Sequence, residues 1–215
     1  MTQKKHIWLA LLFLTVFAVS RWPGLFPANF SVAYALAFCA GVYFQGSMAW
    51  WLPLGVMILT DVGLNCYYQH KNPSSNVWDL ANFSNLALNY LGYVLLIFLG
   101  RRFKSKSSFL RLLAGGILGA ILFYLITNTA SWFFNPYHSP EYTKTLHGWL
   151  LALTRGINGF PPTWEFFRNT LLSGGLFTAL FVAAEKTATA ESPADKTAGA
   201  KEDEESKEPS EEASA

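Results

Sequence analysis

Long apolar runs dominate this sequence, and they decide which solvent the chain can fold in. Six segments are long or nearly long enough to cross a bilayer as helices: residues 7–20, 31–45, 49–66, 84–100, 109–134 and 166–184. A crossing helix needs roughly 17–25 mainly apolar residues. The second segment is short, which predicts a buried or tilted helix. It meets the third through Gln45-Gly46-Ser47, a tight helical hairpin. Composition agrees: only 14% of the 215 residues are charged, where a soluble domain carries about a quarter. The expected fold is all-α, a polytopic membrane protein with six transmembrane helices.

Basic residues orient such a chain, because Lys and Arg stay on the cytoplasmic side. Lys4 and Lys5 precede the first segment, and Arg101, Arg102, Lys104, Lys106 and Arg111 flank the connection between the fourth and fifth. Six alternating crossings place that connection and both termini inside. The outer loops then keep only Arg21, Lys71, Lys144 and Arg155, with Arg168 at the edge of the last crossing. The first segment also fits a cleaved signal peptide, with Ala18-Val19-Ser20 as the cleavage site. The other crossings keep their orientation either way. Trp50, Trp51, Trp78, Trp132, Trp149 and Trp164 fall near segment ends, as an interfacial belt requires.

The charge is split along the chain. Residues 185–215 hold ten acids and four bases, net −6, while residues 1–184 hold four acids and 12 bases, net +8. From residue 187 onward almost no large apolar side chain occurs, so that stretch cannot bury enough surface to order itself. The expected division is a transmembrane domain over 1–186 and a disordered acidic cytoplasmic tail over 187–215, either a solvating extension or a tether for a soluble partner. On the outer side, 145–157 is apolar enough for a helix but too short to cross, and predicts an interfacial or re-entrant cap. Thr163 is placed to cap the last helix.

Polar side chains inside crossings are costly and need a partner or a use. Asp61 is the one acid within the segments, about five residues, or roughly 7 Å, from the outer end of the third. Asn65 lies one turn further out. Asn82, Asn85 and Asn89 share a stripe leading into the fourth segment, followed by Tyr90. Thr127, Asn128, Ser131 and Trp132 come late in the fifth, and Asn169 and Thr170 open the sixth. With alternating crossings, all four sets fall in the outer half of the membrane. Such clustering suits a polar cavity open to the outside. The competing reading is helix-to-helix glue, with Asp61 paired to Arg168 or Arg155 and each Asn contributing about 0.6 to 2 kcal/mol.

Other chemistry has little to stand on. Two cysteines, Cys39 and Cys66, sit in apolar segments and make neither a disulfide framework nor a zinc site. His138, His147 and Glu141 share an outer region without the i, i+4 spacing of a helix-borne metal pair, so no metal site is expected. No GxSxG, HExxH, P-loop or CxxC occurs, and one intramembrane acid makes no catalytic pair. An enzyme, a cofactor and a nucleic-acid partner are therefore not expected. Gly115-Gly116, Gly119 with Ala120, and Gly174-Gly175 mark close helix packing.

The segments PANFSVAYALAFCAGVYF (27–44), WLPLGVMILTDVGL (51–64), FYLITNTASWF (123–133), YTKTLHGW (142–149) and FFRNTLLSGGLF (166–177) resemble an uncharacterised bacterial family of six-span membrane proteins, DUF6580. The resemblance covers nearly everything except the acidic tail and implies the bacterial inner membrane. The short second helix, its hairpin and the outward polar set are also distantly similar to the S components of energy-coupling-factor transporters. That similarity implies a six-helix protein that binds a small molecule under its outer loops and hands it to a membrane partner subunit. Many S components carry an Ala-x-x-x-Ala docking pattern in the first helix. Here the pattern is Ala33-x-x-x-Ala37, in the second.

The leading expectation is a membrane subunit binding or transporting a small polar ligand. Asp61, Asn85, Asn89, Asn128, Trp132 and Asn169 would line the site, with Asn29 and His147 on covering loops. Asp61 would take a cationic or hydroxyl group, the Asn amides would both donate and accept, and Trp132 would stack on a ring. The alternative is a non-transporting membrane scaffold or cell-envelope assembly protein, in which the polar set only holds helices and the tail recruits a partner.

Overall fold

The computed structural model describes residues 3–189, with side chains from residue 11 onward. Seven helices follow one another: α1 (Gln3–Ser20), α2 (Ala33–Tyr43), α3 (Met48–Lys71), α4 (Leu80–Gly100), α5 (Phe109–Phe134), α6 (Leu146–Thr154) and α7 (Thr163–Thr189). No strand occurs among the described residues. Among the described residues four helices, α3, α4, α5 and α7, are long and apolar enough to cross a membrane. Residues 187–189 are the last of α7, and the rest of the expected acidic tail lies outside the described residues.

Three helices start on a side chain that accepts an otherwise orphaned backbone N–H. Asp79 receives Asn82 N at 2.8 Å for α4, Ser108 receives Arg111 N at 3.3 Å for α5, and Thr145 receives Gly148 N at 3.1 Å for α6. Thr163, expected as a cap, is instead the first residue of α7. Helix α3 continues past the apolar run to Lys71, and its last turn carries His70 and Lys71, favourable charges at a helix C-terminus.

The 11-residue α2 is the core of the molecule. At 1.5 Å per residue it is roughly 16 Å long, about half the hydrocarbon thickness. Every residue from Ala33 to Gly41 is buried, with α3, α4, α5 and α7 packed round it. Small residues permit this. Gly41 of α2 meets Gly100 of α4 so closely that a Cβ on either would strike the other helix's backbone, at Ile97 O or Phe38 O. Two further close approaches join α5 to α7, here against side chains: a Cβ on Gly116 would strike Thr178, and one on Gly174 would strike the Ala120 methyl. Helix α1 is pinned to α7 by Phe13 stacked on Phe181, with ring centroids 3.9 Å apart.

The long helices alternate in direction. Lys186 Nζ at the end of α7 donates to Ser107 O between α4 and α5 (2.8 Å). At the opposite end Tyr137, just after α5, donates to Asn82 at the start of α4 (2.9 Å). The outer faces are apolar. Leu91, Leu95 and Phe98 on α4, and Leu172, Leu176 and Leu180 on α7, are all exposed. At that spacing each set forms one stripe along its helix. Apolar surface of this extent has no place in water and suits a lipid contact.

Candidate functional site

A cavity of about 890 Å³ opens at the end of the bundle where α1, α3 and α5 finish and α2, α4 and α7 begin. Its size falls within the range of small-molecule sites, about 300–1,000 Å³. The deepest wall is aromatic. Tyr93 of α4 and Phe123 of α5 stack at 5.0 Å and 22°, and Tyr34 of α2 sits 4.8 Å from Phe123. The glycine Gly92 makes room for Phe123, whose ring occupies the space a Cβ would need. Phe30 and Phe166 extend the apolar lining nearer the mouth.

Amides line the same space. Asn82, Asn85 and Asn89 lie along α4, and Asn128 lies on α5. Asn82 accepts from Tyr137 and donates to Asn76 O. Asn128 Nδ2 donates to Tyr124 O one turn back (2.9 Å), which leaves its carbonyl oxygen over. Asn85 and Asn89 give their amides to no other described residue, so both keep two donors and an acceptor for the cavity.

The cover is the connection between α1 and α2, together with the segment after α5. Asn29 stands in the left-handed region (φ 60°), a conformation Asn tolerates better than most residues. Its carbonyl accepts from Tyr34 OH (3.2 Å), and Asn169 Nδ2 holds the neighbouring Ala28 O at 2.9 Å. Tyr137 and Tyr142 line the far side. Burial pushes both phenols up, with the Asp79 and Glu141 charges adding to it. They therefore remain neutral hydroxyl donors near pH 7.

Asn29, Asn85, Asn89 and Asn128 thus reach the cavity, and four other expected residues do not. Asp61 lies behind the wall, engaged by Arg21 and by Tyr90 OH (2.7 Å). Its partner is neither Arg168 nor Arg155, because the end of α1 packs beside α3 and delivers Arg21 first. Trp132 turns away from the cavity. Its indole N–H donates to Thr143 O (2.7 Å), and Lys144 sits 5.3 Å from its ring centre. That lysine also caps the end of α5 through Trp132 O and Phe133 O. His147 is exposed on α6. Asn169 is buried and serves the cover rather than the cavity. The residues that sequence reasoning passes over are Arg21, counted only as a loop charge, and the wall of Tyr34, Tyr93 and Phe123. A phenol inside an apolar segment is the available signal, since Tyr needs somewhere to put its hydroxyl.

Arg21 is the one charged side chain among the described lining residues. No group of three His, Cys, Asp or Glu able to hold a metal ion occurs among the described residues. The arrangement offers an aromatic wall, in which the Tyr34 ring is tilted against the stacked Tyr93 and Phe123, with free amides and a guanidinium, and no nucleophile–base pair among the described lining residues. Comparison with known proteins gives one match: the model of a family of unknown function, DUF6580, covers residues 1–195. No curated protein and no solved structure matches the chain.

Proposed function

This chain belongs to DUF6580, a family of unknown function, and we propose that it is an integral membrane subunit that captures a small polar molecule in the cavity between α2, α4 and α5. The observation that carries the reading is the pair Asn85 and Asn89, whose amides face a cavity of about 890 Å³ with no partner among the described residues. Glue asparagines would bond to another element, as Asn169 bonds to Ala28 O in the connection between α1 and α2. An amide left without a partner inside a membrane is costly unless water or a ligand meets it.

In this reading α1, α3, α4, α5 and α7 cross the bacterial inner membrane, and the buried α2 makes the sixth, incomplete pass. The basic connection between α4 and α5 lies in the cytoplasm with both termini, and the cavity opens outward. The plan is that of an S component, with capture beneath outer loops. Coupling to an energising partner has less to rest on, because Ala33 and Ala37 are 1% and 0% exposed, at the centre of the bundle. That pair offers no docking ridge.

Native mass spectrometry of the detergent-purified protein, followed by denaturing extraction, tests this. A stoichiometric small molecule is expected in the wild type and absent from Asn85→Ala/Asn89→Ala. A protein equally loaded in both would remove the amides from the site. An empty wild type that instead retains an envelope protein through residues 187–215 would replace this reading with the scaffold.

A further inference from the structure

We infer that the ligand of this cavity is a flat-ring molecule carrying a single carboxylate, which Arg21 receives. The inference rests on the capture reading above and names its substrate class. It differs from the expectation from sequence, where Asp61 itself takes a cationic or hydroxyl group.

Three observations carry it. First, Arg21 lines the cavity and Asp61 does not. The pair is therefore a dipole with its positive end on the cavity side, and any charge it selects there is negative. Second, the guanidinium has donors to spare. It carries five N–H groups in a planar fork that matches a carboxylate. Only Nη2 has a hydrogen-bond acceptor among the described residues; Nε is buried, and Nη1, neither bonded nor sealed off, is the donor left for the cavity. Third, the other polar atoms around the cavity suit an anion. Tyr142 keeps its phenol proton, and Asn85 and Asn89 have free N–H groups, whereas the proton of Tyr137 is already given to Asn82. No carboxylate occurs among the described lining residues to repel an anion.

The ring follows from where Arg21 stands. It joins Asp61, Asp61 joins Tyr90, and the Tyr90 ring lies 5.9 Å from that of Tyr93, which begins the aromatic wall. The guanidinium is thus about one tyrosine away from the stacked Tyr93 and Phe123. A ligand with its carboxylate on Arg21 lays its body along that wall, and ring polar groups meet the amides of α4. A single charge fits better than two, because Asp61 already shares the guanidinium and a dianion would press against it.

A charge series on one ring system provides the test. Full-length protein in detergent is titrated calorimetrically with 6-hydroxy-2-naphthoate, its carboxamide and its aminomethyl analogue. The carboxylate is expected to bind at least tenfold tighter than the amide, and the ammonium compound weakest. Arg21→Gln/Asp61→Asn, which removes both charges together, should bring the three compounds within about threefold. Arg21→Lys keeps the charge without the fork and should give an intermediate preference, so the series remains readable if the double variant folds poorly. An amide or ammonium compound that binds as tightly as the carboxylate, and loses affinity in Asn89→Ala, overturns the charge assignment and leaves the capture reading intact. No binding by any of the three overturns the flat-ring carboxylate, while the capture reading falls only if the wild type also carries no small molecule in native mass spectrometry.

Discussion

Asp61 is where the local argument meets tertiary structure. Its side chain is 13% exposed and Arg21's is 24% exposed, so little water screens the pair. Removing one charge strands the other, which costs about 3–5 kcal/mol for a fully buried pair; with this residual exposure about 1–3 kcal/mol is expected. Thermal unfolding in detergent should therefore show a lower Tm for Asp61→Asn and for Arg21→Gln. The double variant should lose less than the sum of the two, and strict additivity would mean that the residues do not interact. The gathering of Asn85, Asn89 and Asn128 at one end of the bundle is legible in the sequence, because it follows from the alternation of apolar segments; the place of Asp61 is not, since α3 runs on to Lys71. Nor is the identity of its partner. Arg21 is 40 positions away, and only the packing of α1 against α3 chooses it over Arg155 or Arg168. Trp132 shows the same limit. Its place near a helix end can be read, but not that Lys144 folds back over it to cap α5.

At the scale of elements, the apolar runs locate the helices well where lipid contact and helix hydrogen bonding end together. The run 109–134 and helix α5 (Phe109–Phe134) coincide. They diverge at α3, which continues to Lys71 through residues that water can solvate. Hydropathy marks where lipid stops and is silent about where a helix stops. The shortness of the second segment already points to burial. Its role as the packing centre depends on Gly41 and Gly100, and single residues do not announce which neighbour they will meet. Gly41→Ala drives a methyl into the Ile97 carbonyl, and neither backbone can retreat without moving a helix. A loss of about 1–3 kcal/mol is expected, as for other overpacked cores. Gly63, on α3, has open space, with nothing within 4 Å of where an added methyl would stand. There Ala should be neutral or stabilising by about 0.5–1 kcal/mol, because glycine is the poorer helix former. Denaturation of the two variants side by side separates close packing from helix propensity. Equal effects would mean that α2 and α4 are not held at this distance.

For the whole molecule, the decisive relation is between the cavity and the basic end. Arg101, Arg102, Lys104, Lys106 and Arg111 are all exposed, from just beyond α4 to the first turn of α5. The cavity lies at the other end of the same helices. Basic residues near a crossing tend to stay cytoplasmic; in the orientation proposed above the cavity therefore opens outward, and a ligand would be taken from outside. Two single-cysteine positions read this orientation. With Cys66→Ala as background, since Cys39 is buried, Ser74→Cys marks the connection between α3 and α4, and Ser105→Cys marks the basic one. Both serines are exposed. An impermeant maleimide added to spheroplasts should label Ser74→Cys at once and Ser105→Cys only after permeabilisation. The opposite pattern would turn the cavity toward the cytoplasm. Arg21 would then face a compartment rich in organic anions, and capture on import would give way to efflux or sensing with the same binding chemistry.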